Sequence, residues 1–440
     1  PISRNGSKVH VANTSAWQRT DVVGMDGHVD MKRQQLVNQA GEAVEVQCLS
    51  DGRWAFMAEN IPALSSVVYE IRPTAKKRIA KTVADAVKTA AYSLDNGMVS
   101  VTVNPADGTI SSLRMAGDDF EYAGEGGLNA YHYSGHRSAD PQTITAVKSV
   151  KLIDNGPVLA TLRIESNAPG CNTLIRDVTL YRGLPRVDVV NRLDKQDIRK
   201  KENVRFVFPF NFPHPDIAID LAMSEMHPER EQLSGVNKHY YSLQNGLSVG
   251  DLEHGICMTS VDAPFVEFGS TSGEDYRLNP RHGYGWWRMA QISPVVYSWV
   301  MTNTWGTNYK ASQGGEATFR YTLEPGNPHD LCLKQRGFER EHPLVAFRSE
   351  SAQGADCLFR LKGNNKIAVS DIRPSKDNSA YIVRLHNMDK EAVRTAFEWG
   401  SLQGVEVARC DWREEALSPV DPESFWLKPY EYTMLKITIK

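Results

Sequence analysis

Three strand-like runs follow one another between Leu174 and Phe210, and this stretch constrains the fold more than any other. In the first, Leu174, Arg176, Val178 and Leu180 share one side while Ile175, Asp177, Thr179 and Tyr181 share the other, the period of two that a β-strand imposes. Arg182-Gly183-Leu184-Pro185 breaks the run, because glycine admits positive φ and proline donates no ladder hydrogen bond. The return run places Val187, Val189 and Leu193 on one face. After a charged excursion through Lys200 and Lys201, a third run aligns Val204, Phe206, Phe208 and Phe210. The pattern predicts an antiparallel meander inside a large sheet.

The same grammar recurs along the chain. Val44, Val46 and Cys48 alternate with Glu45 and Gln47, and Trp54 to Ala58 and Val67 to Ile71 add further runs, so residues 1–75 read as a small β-domain. Residues 76–90 read as a linker, with Ile79, Val83 and Val87 at helical spacing among basic and Thr-rich neighbours. From there, runs at Met98 to Val103, Thr109 to Met115, Thr143 to Ile153 and Val158 to Glu165 are separated by turn residues such as Asp107-Gly108 and Asn155-Gly156-Pro157. Strand signals continue to Phe319 to Leu323. With no repeating βα unit, residues 76–330 are expected to form one very large antiparallel sandwich. A short helix over Asp330 to Glu339 should open a third β-domain, 331–440. Its runs are Cys357 to Leu361, Tyr381 to His386, Ala392 to Glu398 and Tyr432 to Ile439. The expected fold class is mainly β, a supersandwich with two smaller β-sandwich domains.

Composition narrows the partners. A net charge of −3 with both signs interspersed gives no electrostatic footprint for nucleic acid or an acidic membrane. No apolar run approaches the roughly 20 residues that span a bilayer. Pro1-Ile-Ser-Arg-Asn has no apolar signal region and no initiator Met, so Pro1 is expected to be an internal residue of something longer. Six scattered cysteines without a CxxC pair predict buried thiols rather than a disulfide framework or zinc ribbon.

Several segments resemble glycoside hydrolase family 38 α-mannosidases. Val11 to Val23 with Asp51-Gly52 and Ile61-Pro62-Ala63 resembles the β-segment that follows that family's helical bundle. Ser93 to Gly97 with Asp107-Gly108 to Leu113 is similar to the start of its supersandwich, and Tyr181 to Asp188 and Val204 to Pro209 continue the likeness. Tyr381 to Asn387 and Leu427 to Thr433 resemble its terminal β-domain. The resemblance implies the C-terminal, non-barrel part of such an enzyme, with α-mannoside glycans as substrate and an N-terminal catalytic domain as partner. It also implies that the zinc ion and the nucleophile of a retaining double displacement belong to that barrel, and no cofactor to this segment. By the same resemblance, a Tyr after a small residue reaches the barrel's sugar site; Ala130-Tyr131 is the matching pair.

The residues themselves offer a few further candidates. Tyr131-His132-Tyr133-Ser134-Gly135-His136 is a cluster of aromatics and polar tips suited to stacking on a pyranose. Arg281 and Trp286, in Arg281-His282-Gly283-Tyr284-Gly285-Trp286-Trp287-Arg288, are candidate substrate contacts, although adjacent Trp residues in a strand face opposite ways. Trp305 to Tyr309 resembles a family signature with a structural role. His214-Pro215-Asp216 is a His-x-Asp; flanked by prolines after a strand, it reads as a turn. Two other readings stay open: an independent carbohydrate-binding or scaffold protein, and an aldose epimerase resting on His132, His136 and His282.

Overall fold

The computed structural model describes residues 6–26, 30, 33–74, 87–135, 141–271, 289–303, 310–363, 365–402 and 404–439. Strands hold 53% of the described residues and helix 2%, so the mainly β, antiparallel expectation holds. The chain falls into two compact units. One comprises residues 82–221 with 225–340; the other joins 1–81, 222–224 and 341–440.

In the central unit a nine-stranded sheet runs in the order Ala146–Asn155, Leu159–Asn167, Cys171–Tyr181, Val187–Lys195, Gly315–Gly326, Gly255–Ser260, Gly246–Gly250, Asp216–Asp220, Glu225–Met226. A five-stranded sheet, ordered Ala130–Gly135, Glu202–Pro209, Val295–Thr302, Phe265–Phe268, Tyr241–Ser242, faces it. The two meet through inward side chains: Phe208 lies 5.0 Å from Tyr321, centroid to centroid, and the Ser298 and Tyr321 hydroxyls are 2.8 Å apart. One continuous apolar core includes Leu174, Val178 and Leu180 from the first sheet and Val204, Phe206 and Phe208 from the second. This is the geometry of face-to-face sheets with alternating inward residues.

The expected meander is correct for two strands and wrong for the third. Cys171–Tyr181 and Val187–Lys195 pair antiparallel across the Gly183 turn. Glu202–Pro209 does not continue that sheet; it pairs with Ala130–Gly135 and Val295–Thr302 in the opposite one. The reason is occupancy of edges. Val187–Lys195 already pairs with Gly315–Gly326 on its other side, over nine residue pairs from Val187↔Leu323 to Lys195↔Gly315, so no ladder is left for a third run. Burial of all eight residues of Glu202–Pro209 reflects a strand covered on both faces.

Arg176, placed by alternation on the inward face, is there and is fully buried. Its Nη2 donates to the Asp107 carbonyl at 2.7 Å and to Ser166 Oγ at 3.0 Å, and Nη1 reaches the Asn129 carbonyl at 3.4 Å. Asn129 and Asn191 exchange amide hydrogen bonds at 2.7 and 2.9 Å. The turn at Asp107-Gly108 is thereby pinned to the sheet. Gly108 has φ +70°, and a Cβ there would stand 2.2 Å from Arg176 Nη2.

The second unit joins both ends of the chain. Lys8–Asn13 pairs with Ser65–Pro73 on one edge and Val345–Ser349 on the other, so segments on either side of the central unit share one sheet. Arg19–Met25, Trp54–Ile61 and Val46–Cys48 form a three-stranded sheet, and Val9, Val11, Val23, Trp54, Phe56 and Tyr69 are members of one apolar core. Ile367–Pro374, Ala380–Asn387, Tyr432–Ile439, Val405–Cys410 and Ala416–Pro419 make a five-stranded sheet. The predicted helix is present as Leu333–Glu341, starting three residues later than expected because Asn327 accepts from the His329 and Asp330 amides and holds a turn ahead of it. No helix of the described residues is long and apolar enough to cross a membrane. All six cysteines are free; Cys171, Cys257, Cys357 and Cys410 are buried as expected, Cys332 is half-buried, and Cys48 is exposed on a short strand.

Candidate functional site

Tyr131 occupies an inward position on Ala130–Gly135. Its ring packs edge-on to Phe206 at 6.0 Å, and its hydroxyl donates to the Pro169 carbonyl at 2.6 Å, with Cys171 Sγ 3.3 Å away. Only 1% of the residue is exposed, and burial pushes its phenol pKa far up. Two residues along the strand, Tyr133 donates to Glu202 Oε2 at 2.6 Å. The other Glu202 oxygen accepts from Lys195 Nζ at 2.6 Å, and that ammonium also donates to the Gln196 carbonyl. The side chains of Lys195 and Glu202 are 0% and 1% exposed.

This cluster ties the ends of three segments together: the turn at 168–171, the end of Val187–Lys195 and the start of Glu202–Pro209. Gly170 (φ +74°) admits it, since a Cβ there would meet the Tyr133 ring at 2.6 Å. The expected sugar contact of Tyr131 would require this hydroxyl to leave Pro169 and the ring to leave the core. Tyr131→Phe is therefore expected to cost about 1 kcal/mol of stability, the usual worth of one hydrogen bond, with hydrolytic turnover per folded molecule unchanged in a longer chain. A fall in kcat/KM at unchanged stability would show that the hydroxyl reaches substrate.

On the opposite, outward face of the same sheet stands a second cluster, which sequence reasoning did not single out. Cross-strand register sets His132 beside Arg205, Arg205 beside Trp299, and Tyr297 beside Glu267. Arg205 Nε donates to Glu267 Oε2 at 2.6 Å, and the two side chains are 3% and 0% exposed. The guanidinium carbon lies 4.6 Å above the Trp299 ring, a cation–π contact. Nη1 is 3.5 Å from Ser134 Oγ, whereas the buried Nη2 has no hydrogen-bond partner. Burial, aided by the Arg205 charge, pushes His132 down to about 4, so its imidazole is neutral at ordinary pH. Tyr240 closes edge-on against both Trp299 (6.1 Å) and Phe265 (5.8 Å).

Arg281, Trp286, His136, His282 and Trp305 to Tyr309 lie outside the described residues. His214 sits in an exposed bend before Asp216–Asp220, while Asp216 bonds Arg230 and His227. Among the described residues no group of three or more His, Cys, Asp or Glu is arranged to hold a metal ion.

Comparison with known proteins agrees with this geometry. Residues 94–227 match the glycosyl hydrolases family 38 C-terminal domain, and residues 366–433 the family 38 C-terminal beta sandwich domain. Two segments of the chain thus carry the signatures of glycoside hydrolase C-terminal β-domains. In particular, these segments belong to the C-terminal part of glycosyl hydrolase family 38. The chain is similar in fold to an alpha-mannosidase from Enterococcus faecalis V583, with a TM-score of 0.74 and 13% identity over 99% of this chain and 56% of that one. A protein in glycosyl hydrolase family 38 from Enterococcus faecalis gives 0.73 and 12%, covering 99% and 58%. The chain thus spans a little over half the length of these structures. No curated protein sequence matches it.

Proposed function

We propose that this chain is the C-terminal β part of a retaining α-mannosidase-type glycoside hydrolase acting on α-mannosides, and that it supports a sugar site on an N-terminal zinc barrel. The observation that carries the reading is the coverage: 99% of this chain follows the fold of an alpha-mannosidase, yet accounts for only 56% of it. Retaining hydrolysis requires a general acid and a carboxylate nucleophile about 5–5.5 Å apart across the glycosidic bond. Neither cluster of this chain supplies such a pair: the Glu202 carboxylate is bound by Lys195 and Tyr133, and Glu267 by Arg205. Nor do the described residues bring together three or more His, Cys, Asp or Glu that could hold zinc. What the chain contributes is a rigid sandwich on which a barrel can be seated. The histidine pairs needed by the aldose-epimerase alternative join His132 to His136 or His282, and those two lie outside the described residues.

Hydrolysis of an aryl α-mannoside tests the proposal. The 440-residue chain alone is expected to show none, and a longer chain carrying the upstream barrel is expected to show hydrolysis that a zinc chelator abolishes. Chelator-resistant hydrolysis by the 440-residue chain, after rigorous purification, would falsify it.

A further inference from the structure

An asparagine followed by glycine carries a reaction within the chain itself. The glycine amide nitrogen can attack the asparagine Cγ, and a residue without a side chain leaves that approach open. The pair occurs at Asn5, Asn96, Asn155 and Asn245, of which Asn5 lies outside the described residues. The other three stand in different surroundings. Asn96 is buried; its Nδ2 donates to the Tyr181 and Leu184 carbonyls at 2.7 and 2.8 Å, and its Oδ1 accepts from the Met98 and Val99 amides. The nitrogen that would attack it, the Gly97 amide, already donates to Asp95 Oδ1 at 2.8 Å. Asn245 precedes a glycine buried within the pairing to Gly255–Ser260, and its carbonyl accepts from the Ser260 amide. Asn155 is exposed, and among the described residues no hydrogen bond holds its carboxamide. It ends Ala146–Asn155, a strand at the edge of the nine-stranded sheet that pairs there with Leu159–Asn167 alone. The Gly156 amide makes one long bond, 3.2 Å, to the Leu159 carbonyl across the turn. A hairpin tip on a sheet edge opens locally at low cost, and opening frees that nitrogen.

We propose that Asn155 is a deamidation site, where the folded chain converts its own asparagine to aspartate and isoaspartate. The Gly156 nitrogen gives up its proton and bonds to Asn155 Cγ; the bond from Cγ to the side-chain nitrogen breaks, and ammonia leaves. Water then opens the cyclic imide at either carbonyl, so neither oxidant nor cofactor is needed. Both products set a second carboxylate beside Asp154, and isoaspartate also adds a methylene to the backbone where the strand turns back. The reaction does not depend on the α-mannosidase reading, so either can fail without the other.

The test is incubation of the 440-residue protein at mildly alkaline pH, with peptide mapping by mass spectrometry over several days and isoaspartate scored by enzymatic carboxyl methylation. Asn155 is expected to convert about tenfold faster or more than Asn96 and Asn245, a difference set by local opening. In urea the three rates should converge. Gly156→Ala, checked at unchanged melting temperature, should slow conversion at Asn155 by about tenfold, since a methyl group then crowds the attacking nitrogen. The proposal is overturned if Asn155 stays an amide in the folded protein or converts no faster than Asn96 and Asn245. A ranking that persists in urea overturns it too, because the fold would then not select the site. Should Gly156→Ala fail to fold, the rates in the unsubstituted protein still decide.

Discussion

Lys195→Met is expected to destabilise the central unit by about 3–5 kcal/mol, the range for breaking a buried ion pair from one side. The argument rests on what the substitution leaves behind. Both side chains are sealed from solvent, and among the described residues the Glu202 carboxylate accepts from Lys195 at 2.6 Å and Tyr133 at 2.6 Å. Methionine fills the volume of the lysine stem but leaves a carboxylate charge in the interior with a single neutral donor. It also strands the Gln196 carbonyl, which Lys195 Nζ satisfies at 2.9 Å. Removing both charges should be milder: Lys195→Met with Glu202→Gln keeps an acceptor for Tyr133 and buries no ion. A double-mutant cycle measured by urea denaturation should therefore show the pair's coupling, with the double variant more stable than Lys195→Met alone. A loss below about 1 kcal/mol for the single substitution would mean that water reaches Glu202.

How much of this was legible beforehand depends on whether the controlling interaction is local. Period-two alternation is local, and it located Cys171–Tyr181, Val187–Lys195 and Glu202–Pro209 to within a few residues. Partner choice is not local. That Glu202–Pro209 crosses to the other sheet follows from Gly315–Gly326 occupying the free edge of Val187–Lys195, a pairing more than 100 residues away in sequence. Likewise, nothing near Lys8 announces that its strand will pair with Val345–Ser349. Pairs of this kind are fixed by the whole topology, because each is one of many ladders that an alternating segment could form.

The site divides in the same way. Tyr131 was found through its likeness to a family position, and its burial then assigns its hydroxyl to Pro169. Arg205 and Glu267 were missed because, taken singly, each reads as an ordinary charged residue in a strand. A signal did exist: Arg205 is the one charge within Val204 to Phe210, a run whose outward residues Val207 and Pro209 are also buried. A charge at such a position must be paired or put to use. Recognising Glu267 as its partner needed the register of three strands.

Arg176→Met tests another buried cation, and here the balance differs because no carboxylate bonds it. Its guanidinium hydrogen-bonds three neutral oxygens, from Asp107, Ser166 and Asn129. Burial lowers its pKa to about 10, with the Asp107 charge opposing, so it stays protonated at neutral pH. Methionine would relieve the cost of burying a charge, which favours the variant. Against this, it strands two carbonyls and a hydroxyl in the core at about 1–3 kcal/mol each. The stranded acceptors should win, leaving a net loss of roughly 2–4 kcal/mol. Arg176→Lys should lie between the two, since an ammonium keeps the charge but cannot span three oxygens in a plane as a guanidinium does. The loss should also be localised, because Arg176 is what fastens the Asp107-Gly108 turn and the Asn129 backbone to the sheet. Amide hydrogen exchange at Gly108, Thr109 and Asn129 should accelerate in Arg176→Met beyond the global change. Unchanged exchange there, with a stability loss under about 1 kcal/mol, would show that the turn is held by the Asn129 and Asn191 amide pair and by Asn104, without need of the buried cation.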